Sequence, residues 1–408
     1  MEYFALIFSI VFWSLITAKR RIDNFDLTTR LYKSVNAEKD FVIAVAAVEQ
    51  ALCEIYAAAG DKSLTRNQIS SLGFSNRSSN YVELHAKILK KLPQSVGGLK
   101  FGVIIALDRK YDMSSWYKRF LGTYFQQQIR SPVIRGDFAR QADETLSKIN
   151  DYISEATAGQ IRKFLPPGFI NRDTAIVMAN SVLIKAKWRT GFPLIRQKTF
   201  HSFKNKQFPV DMFIDISKGE NYYYEDERVE CLKLSTEYAG VGMYILLPKK
   251  AASIQEFKVF GQSNYIRNII YRPDGLTNNT SDYVLYMSIP RFEIRQTFDL
   301  KRSLEKIGFT APFDISHADF SKLLDKPRNS FHISQMLQTA HIKVDEKGFE
   351  AAGAVAFDVT DRTGPQKPVK HFVADKPFHF YVTYASHQRS SMRFETVVFS
   401  GQYIGVSQ

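Results

Sequence analysis

The stretch Val344–Phe380, VDEKGFEAAGAVAFDVTDRTGPQKPVKHFVADKPFHF, is built from unlike pieces. It opens with acidic residues and Gly348. A run of very small side chains follows, Ala351, Ala352, Gly353, Ala354, Val355 and Ala356. Then comes a polar segment, Asp358 to Pro368, and an alternating apolar piece, Val369 to Phe380, interrupted by Asp375-Lys376-Pro377. Alanine favours helix, but Gly348 and Gly353 argue against a stable one, and the polar segment carries loop chemistry. A segment with so little side-chain bulk can slide between two strands with little steric conflict. Asp361-Arg362-Thr363-Gly364-Pro365 would offer a protease a basic residue. From the residues alone, a mobile linker before a last hairpin explains the stretch equally well.

Asp345–Ala354 (DEKGFEAAGA), followed seventeen residues later by Phe372–Phe380 (FVADKPFHF), resembles the reactive-centre loop and next strand of the serpins. The likeness extends along the chain. Ser288–Leu323 matches strongly: Pro290-Arg291-Phe292, Asp299-Leu300, Gly308 and Ala318-Asp319-Phe320-Ser321 all fall at family spacing. Asn180 matches the family's asparagine in the shutter, where the central sheet parts, and Trp188 its tryptophan at the head of that sheet. There are departures too. A Ser-Pro-x-Ser run is replaced by Ala44-Val45-Ala46-Ala47, so both hydroxyls are missing, and the shutter histidine position is Gln338. The resemblance covers roughly residues 22 to 405 and implies an α+β fold. That fold is a single large domain with three β-sheets, eight or nine surrounding helices and an exposed reactive-centre loop at about residues 345–368.

Composition agrees with one domain. A chain of 408 residues can bury a large core, and no Pro/Ser-rich linker, long charge run or repeat divides it. The apolar run Tyr3–Ile16 is too short to cross a bilayer and is followed by Lys19, Arg20 and Arg21. It reads as a signal peptide over residues 1–18, leaving a secreted domain at 19–408. It lacks a basic residue before the apolar run, so an uncleaved anchor stays open. Sequons at Asn76, Asn278 and Asn279 agree with a secreted glycoprotein. Cys53 sits in an apolar stretch and is expected as a buried thiol; a Cys53–Cys231 bridge is the alternative that an oxidising compartment would allow.

The formal charge is +14, and removing residues 1–18 takes away only Glu2, which gives +15. Such a chain is drawn to acidic partners. Lys87, Lys90 and Lys91 lie on a helical stretch that matches the helix some serpins use for heparin, so glycosaminoglycan is the one cofactor considered, against a solvated face. No nucleic-acid motif, metal spacing, nucleophile elbow or phosphate loop is present, so no nucleic acid, metal or catalytic residue is expected and the chain is not read as an enzyme. A monomer without membrane attachment is expected.

The local pattern predicts helices at Phe25–Val35, at Phe41–Gly60 and in the stretch beginning at Glu144 and ending near Gly159, and strands at Leu99–Leu107, Thr174–Trp188 and His332–Val344. Cys231–Pro248 is expected as a hairpin with Gly240 and Gly242 at its turn, and Pro193–Phe200 as loop.

The resemblance implies a conformational mechanism. A protease acylates the loop, the loop enters the central sheet as a new strand, and the protease is carried along and distorted. Counting from the hinge Glu346, Gly348, Phe349, Glu350, Ala351, Ala352, Gly353 and Ala354 places the scissile bond at Arg362–Thr363. Arginine there selects a trypsin-like serine protease, and Asp361 before it is less welcoming to many of them. In strand register Phe349, Ala351, Gly353, Val355 and Phe357 would face inward, with charged Glu350 and Asp358 outward. Phe349 is unusually large for the first side chain to enter. Its insertion is expected to cost about 1–3 kcal/mol and to slow the loop. A slow loop becomes a substrate, so a non-inhibitory serpin, substrate-like or acting as a binding or carrier protein, is the alternative.

Overall fold

A computed structural model describes residues 23–35, 38–72, 85–87, 89, 99–126, 133–217, 221–271, 283–326, 331–349, 367–385 and 395–405. Among these are eight α-helices: α1 (Phe25–Ser34), α2 (Val45–Ala58), α3 (Leu64–Ser71), α4 (Ser115–Leu121), α5 (Ala142–Ala156), α6 (Ile254–Gly261), α7 (Asn264–Ile270) and α8 (Leu300–Lys306). Seventeen strands form three sheets. The first has the order β1 (Phe41–Ile43), β17 (Glu395–Tyr403), β16 (Phe378–Ala385), β10 (Val241–Pro248), β9 (Val229–Ser235) and β8 (Tyr222–Glu225). The second runs β15 (Val369–Val373), β11 (Val284–Pro290), β7 (Gln207–Ser217) and β6 (Leu194–His201). The third, central sheet runs β3 (Val133–Gly136), β2 (Leu99–Asp108), β4 (Ile176–Ile184), β13 (Gln335–Asp345), β14 (Gly348–Phe349) and β5 (Ala186–Lys187), with β12 (Phe292–Asp299) paired to β13. The expected α+β architecture with three sheets is therefore the observed one.

The central sheet is covered on both faces. All nine residues of β4 are buried, so its sequence is apolar on both parities except at the buried pair Asn180-Ser181. Its Val177 and Ala179 pack with Ile149 and Ile153 of α5. Ile176, Met178 and Val182 belong to the main core shared with α2. The period of two thus sorts β4 between two helices. α5 carries Asp143 and Glu144 in its first turn and turns Thr145, Ile149 and Ile153 inward, one stripe at i, i+4 and i+8 with acids at the positive end of the dipole.

Four local expectations are corrected. Phe41–Gly60 is not one helix: Phe41–Ile43 is a strand paired with β17, and helix begins only at Val45. All three strand residues are buried, so no polar alternation marks the break. Pro193–Phe200 is not loop: Leu194–His201 pairs antiparallel with β7 along its whole length. From Leu194 to Gln197 this edge strand is exposed on both faces, and only Phe200 is buried, so it carries no repeating buried face to read. Thr174–Trp188 divides into β4 and β5. In the 229–248 hairpin Gly240 takes φ 87° at the turn, whereas Gly242 lies within β10 opposite Ser235.

Candidate functional site at the head of the central sheet

The chain leaves β13 at Asp345 and reverses within four residues. The Asp345 carboxylate closes this turn by accepting from the backbone N–H of Lys347 at 2.8 Å and of Gly348 at 3.3 Å. Asp first and Gly last is a turn signature legible in the sequence. Gly348 adopts φ 145°, and a Cβ there would lie 2.1 Å from the carbonyl oxygen of Ala186. Only glycine fits this approach.

After the turn, Gly348 and Phe349 form β14. Phe349 pairs with Val344 of β13 on one side and with Ala186 of β5 on the other. Lower in the sheet no strand separates β13 from β4, which pair directly in parallel from Gln335↔Val177 to Ala340↔Val182. The sheet is therefore splayed at its head, and the hinge fills the wedge. The Trp188 backbone N–H donates to Lys347 O at 2.9 Å, and its indole Nε1 donates to Asp345 O at 2.8 Å. The N–H of Phe192 donates to Glu346 O at 3.1 Å. Arg291 places Nε at 2.9 Å and Nη2 at 2.6 Å from Glu346 Oε2. Phe349 is fully buried, its ring 4.8 Å from that of Trp188 in an edge-on arrangement.

The shutter lies below this wedge. Gln338 and Asn180 are register partners in the β13–β4 ladder and point to the α2 side. The Gln338 amide makes two bonds to one residue: its Oε1 accepts from Ala44 N–H at 3.2 Å, and its Nε2 donates to Ala44 O at 2.9 Å. Asn180 Nδ2 donates to Ala47 O at 3.2 Å. The hydroxyls missing at positions 44 and 47 are thus replaced by backbone groups, reached by the longer amide of Gln338. Asn180 Oδ1 is buried without a hydrogen-bond partner.

The structure brings together Trp188, Glu346, Gly348 and Phe349 at the head of the sheet, and Asn180, Gln338, Ala44 and Ala47 below it. Sequence reasoning did not name Arg291 or Asp345 as hinge residues. Arg291 belongs to the Pro290-Arg291-Phe292 match, but its contact with the hinge is visible only through its partner, 55 positions away. Glu350, Ala351, Ala352, Gly353, Ala354, Arg362 and Thr363 lie outside the described residues, as do Asn76, Asn278, Asn279, Lys90 and Lys91. Lys87 is exposed on a helical piece whose neighbours His85, Ala86 and Leu89 are buried. Cys53 and Cys231 are both buried thiols, so the bridge does not form. Burial raises the pKa of each well above the usual thiol value.

The sequence profile of the family described as Serpin (serine protease inhibitor) matches residues 23–403. Macrophage plasminogen activator inhibitor 2 of Mus musculus is 32% identical over 251 residues, 60% of this chain and 58% of the relative's length. The thermophilic serpin tengpin in its native state superimposes with TM-score 0.77 at 21% identity, covering 94% of this chain and 93% of its own. Uncleaved ovalbumin superimposes with TM-score 0.75 at 19% identity, covering 94% and 98%. The splayed central sheet, the hinge seated beneath Trp188 and the profile match agree: this chain belongs to the serpin family.

Proposed function

We propose that this chain is a serpin-type suicide inhibitor of trypsin-like serine proteases, with Arg362–Thr363 as the bait bond and trapping by loop insertion between β4 and β13. Members of the family are in general protease inhibitors rather than enzymes. The observation that carries the reading is the strand pairing of Gly348 and Phe349 on both sides at the head of the sheet. The first two residues of a new strand already stand in register, and the small residues Ala351, Gly353 and Val355 follow on the inward parity. Insertion would separate the β13–β4 ladder from Ala340↔Val182 downward. A second reading, a non-inhibitory member, rests on the Gln338 amide, which ties β13 of that ladder to the backbone of Ala44. Its similarity in fold extends to a thyroxine-binding globulin in complex with thyroxine, at 19% identity.

The Tyr3–Ile16 run and the three sequons support secretion as a glycosylated monomer after cleavage at residue 18. Among the described residues no helix is long and apolar enough to cross a membrane. Lys87, with Lys90 and Lys91, is proposed as a glycosaminoglycan contact. Mixing the purified chain with trypsin and separating the products by denaturing electrophoresis tests the main reading. The expected result is a covalent band at the summed mass, with cleavage after Arg362. Rapid cleavage with no complex, for trypsin and for other arginine-directed proteases, would place the protein with the non-inhibitory members.

A further inference from the structure

Between Asp112 and Asp137 the chain carries no acid, while it holds four cations, Lys118, Arg119, Arg130 and Arg135, and five aromatic residues. Within this stretch α4 continues into a single π-helical turn, Gly122–Gln126. Tyr117, Leu121 and Phe125 are buried and root the element in the core at i, i+4 and i+8. One position back, Trp116, Phe120 and Tyr124 form a second row with the same spacing. Their rings meet along the row: Trp116 and Phe120 lie 5.9 Å apart and nearly parallel, and Phe120 and Tyr124 lie 5.0 Å apart. Phe120 and Tyr124 are half-buried, and Trp116 is 47% exposed. Scattered exposed apolar residues are ordinary. An exposed indole at the end of a stacked aromatic row, with cations beside it, is not. Arg119 stands about 60° round the helix from Trp116, towards solvent, and among the described residues it has no ion-pair partner. Lys322 holds Nζ 5.4 Å from the Trp116 ring centroid and 2.6 Å from Asp61. Asp61 is itself shared between Lys322 and Arg66, so it leaves no net negative charge beside the row.

We propose that this row is a docking surface for an anionic lipid bilayer, with Trp116 inserted at the level of the headgroups and Arg119 and Lys322 against their negative charges. Tryptophan and tyrosine collect at the boundary between water and hydrocarbon, because each ring is apolar in its body and polar at its tip. Arginine and lysine beside them are drawn by the negative surface potential of the lipid. The chain as a whole carries +14, which favours approach to such a surface from a distance. Area argues for the same occupant. A stable protein interface takes roughly 800 Å² from each partner, far more than one half-exposed indole supplies, whereas a bilayer accepts a few inserted rings supported by cations. The contact is peripheral, since α4 has seven residues where crossing takes about twenty. It adds a surface contact to a chain whose sequence predicts no membrane attachment. None of these residues belongs to the hinge or the shutter, so the proposal stands apart from the inhibitory reading.

The test uses the secreted chain after mass spectrometry has shown residues 1–18 to be removed, since the apolar run Tyr3–Ile16 would bind lipid by itself. The probes are vesicles of phosphatidylcholine alone and vesicles in which about a third of the lipid is phosphatidylserine. Co-sedimentation measures affinity, and tryptophan emission measures insertion. Beyond residue 18 the tryptophans are Trp116 and the buried Trp188, so a blue shift reports on Trp116. The parent chain is expected to bind the phosphatidylserine vesicles with a blue shift and to be released by salt. Trp116→Ala and Arg119→Glu, checked for folding by their melting curves, should each bind roughly ten-fold more weakly. No binding by the parent, equal binding to the two kinds of vesicle, or an affinity of either variant within about two-fold of the parent would overturn the proposal. So would self-association in the absence of lipid that Trp116→Ala abolishes, which would assign the row to a second copy of the chain.

Discussion

The ring of Phe349 stands edge-on against the indole of Trp188, 4.8 Å between centroids. Its residue is already paired with Val344 and Ala186. Sequence reasoning expected this ring to be forced into a tight site during insertion and to slow it. In the structure the ring already fills a fully buried site between Val344 and Ala186. An inserted loop would keep Phe349 in the same place, so the ring contributes to both states and largely cancels from the difference between them.

Phe349→Thr is therefore expected to lower the stability of the intact chain by roughly 2–4 kcal/mol, the usual cost of emptying a buried aromatic site. The partition between trapped and cleaved chains should stay within about two-fold, since a contact common to both states does not enter the barrier between them. Thermal melting and the stoichiometry of trypsin inhibition measure the two effects. A sharp improvement in stoichiometry would show that the ring retards insertion after all.

Removing the Gln338 side chain should loosen the hold of β13 on the start of α2. Gln338→Ala leaves the N–H of Ala44 buried without its present partner, while the Ala44 C=O keeps the bonds from the N–H groups of Ala47 and Val48. The expected loss is about 1–3 kcal/mol, for one stranded donor. The variant should also take up a synthetic loop peptide faster than the parent. Urea unfolding and a native-gel peptide-annealing assay test this; equal uptake rates would mean that the Gln338 amide does not restrain the sheet.

Arg291→Ala removes the ion pair to the hinge turn together with the longer one to Asp211 at 3.7 Å. Arg291 is 37% exposed and Glu346 16%, so screening keeps the expected change in global stability to about 1 kcal/mol. Its local effect should be larger. Hydrogen exchange at Lys347, Gly348 and Phe349 is expected to speed up several-fold while exchange in β13 near Gln338 stays unchanged. Uniform acceleration along β13 would point to a global effect instead.

His379 gives the fold an acid-sensitive point remote from the hinge. It is fully buried and stacked 3.9 Å from the Phe257 ring, with Tyr32 Oη 3.2 Å from Nδ1 and Phe257 O 3.1 Å from Nε2. Burial lowers its pKa from 6.5 to about 3. The folded chain thus binds this proton more weakly than the unfolded chain. Its stabilising effect is complete above about pH 6.5 and declines as pH falls towards 3, by up to about 1.4 kcal/mol per unit. Melting temperatures of the parent and of His379→Gln, measured between pH 7 and 4, should converge as the medium becomes acidic. A constant gap between the two would show that His379 does not titrate in this range.

Much of the site was legible in the residues. Gly348 had to be glycine because a backbone oxygen occupies the place of its Cβ, and Asp345 to Gly348 carries turn chemistry that needs no distant partner. Trp188 and Asn180 stand where the resemblance placed them. Other features depend on residues far apart in the chain. The edge strand Leu194–His201 buries only Phe200, so its sequence has no sustained alternation, and pairing with β7 makes it a strand. Gln338 looked like the loss of a histidine, because its two bonds go to a backbone nearly three hundred positions away.

Local chemistry marked the small-residue run, Gly348 and the basic residue Arg362, while the family was reached through the resemblance that those motifs carry. Such features are carried by side-chain volume, backbone freedom and charge within a few neighbouring positions. The tertiary structure alone decided that Phe349 is seated between Val344 and Ala186 and that Arg291 holds Glu346. Each of these is a juxtaposition of strands brought together by burial of their other faces, and strand register leaves no trace in the sequence of either partner alone.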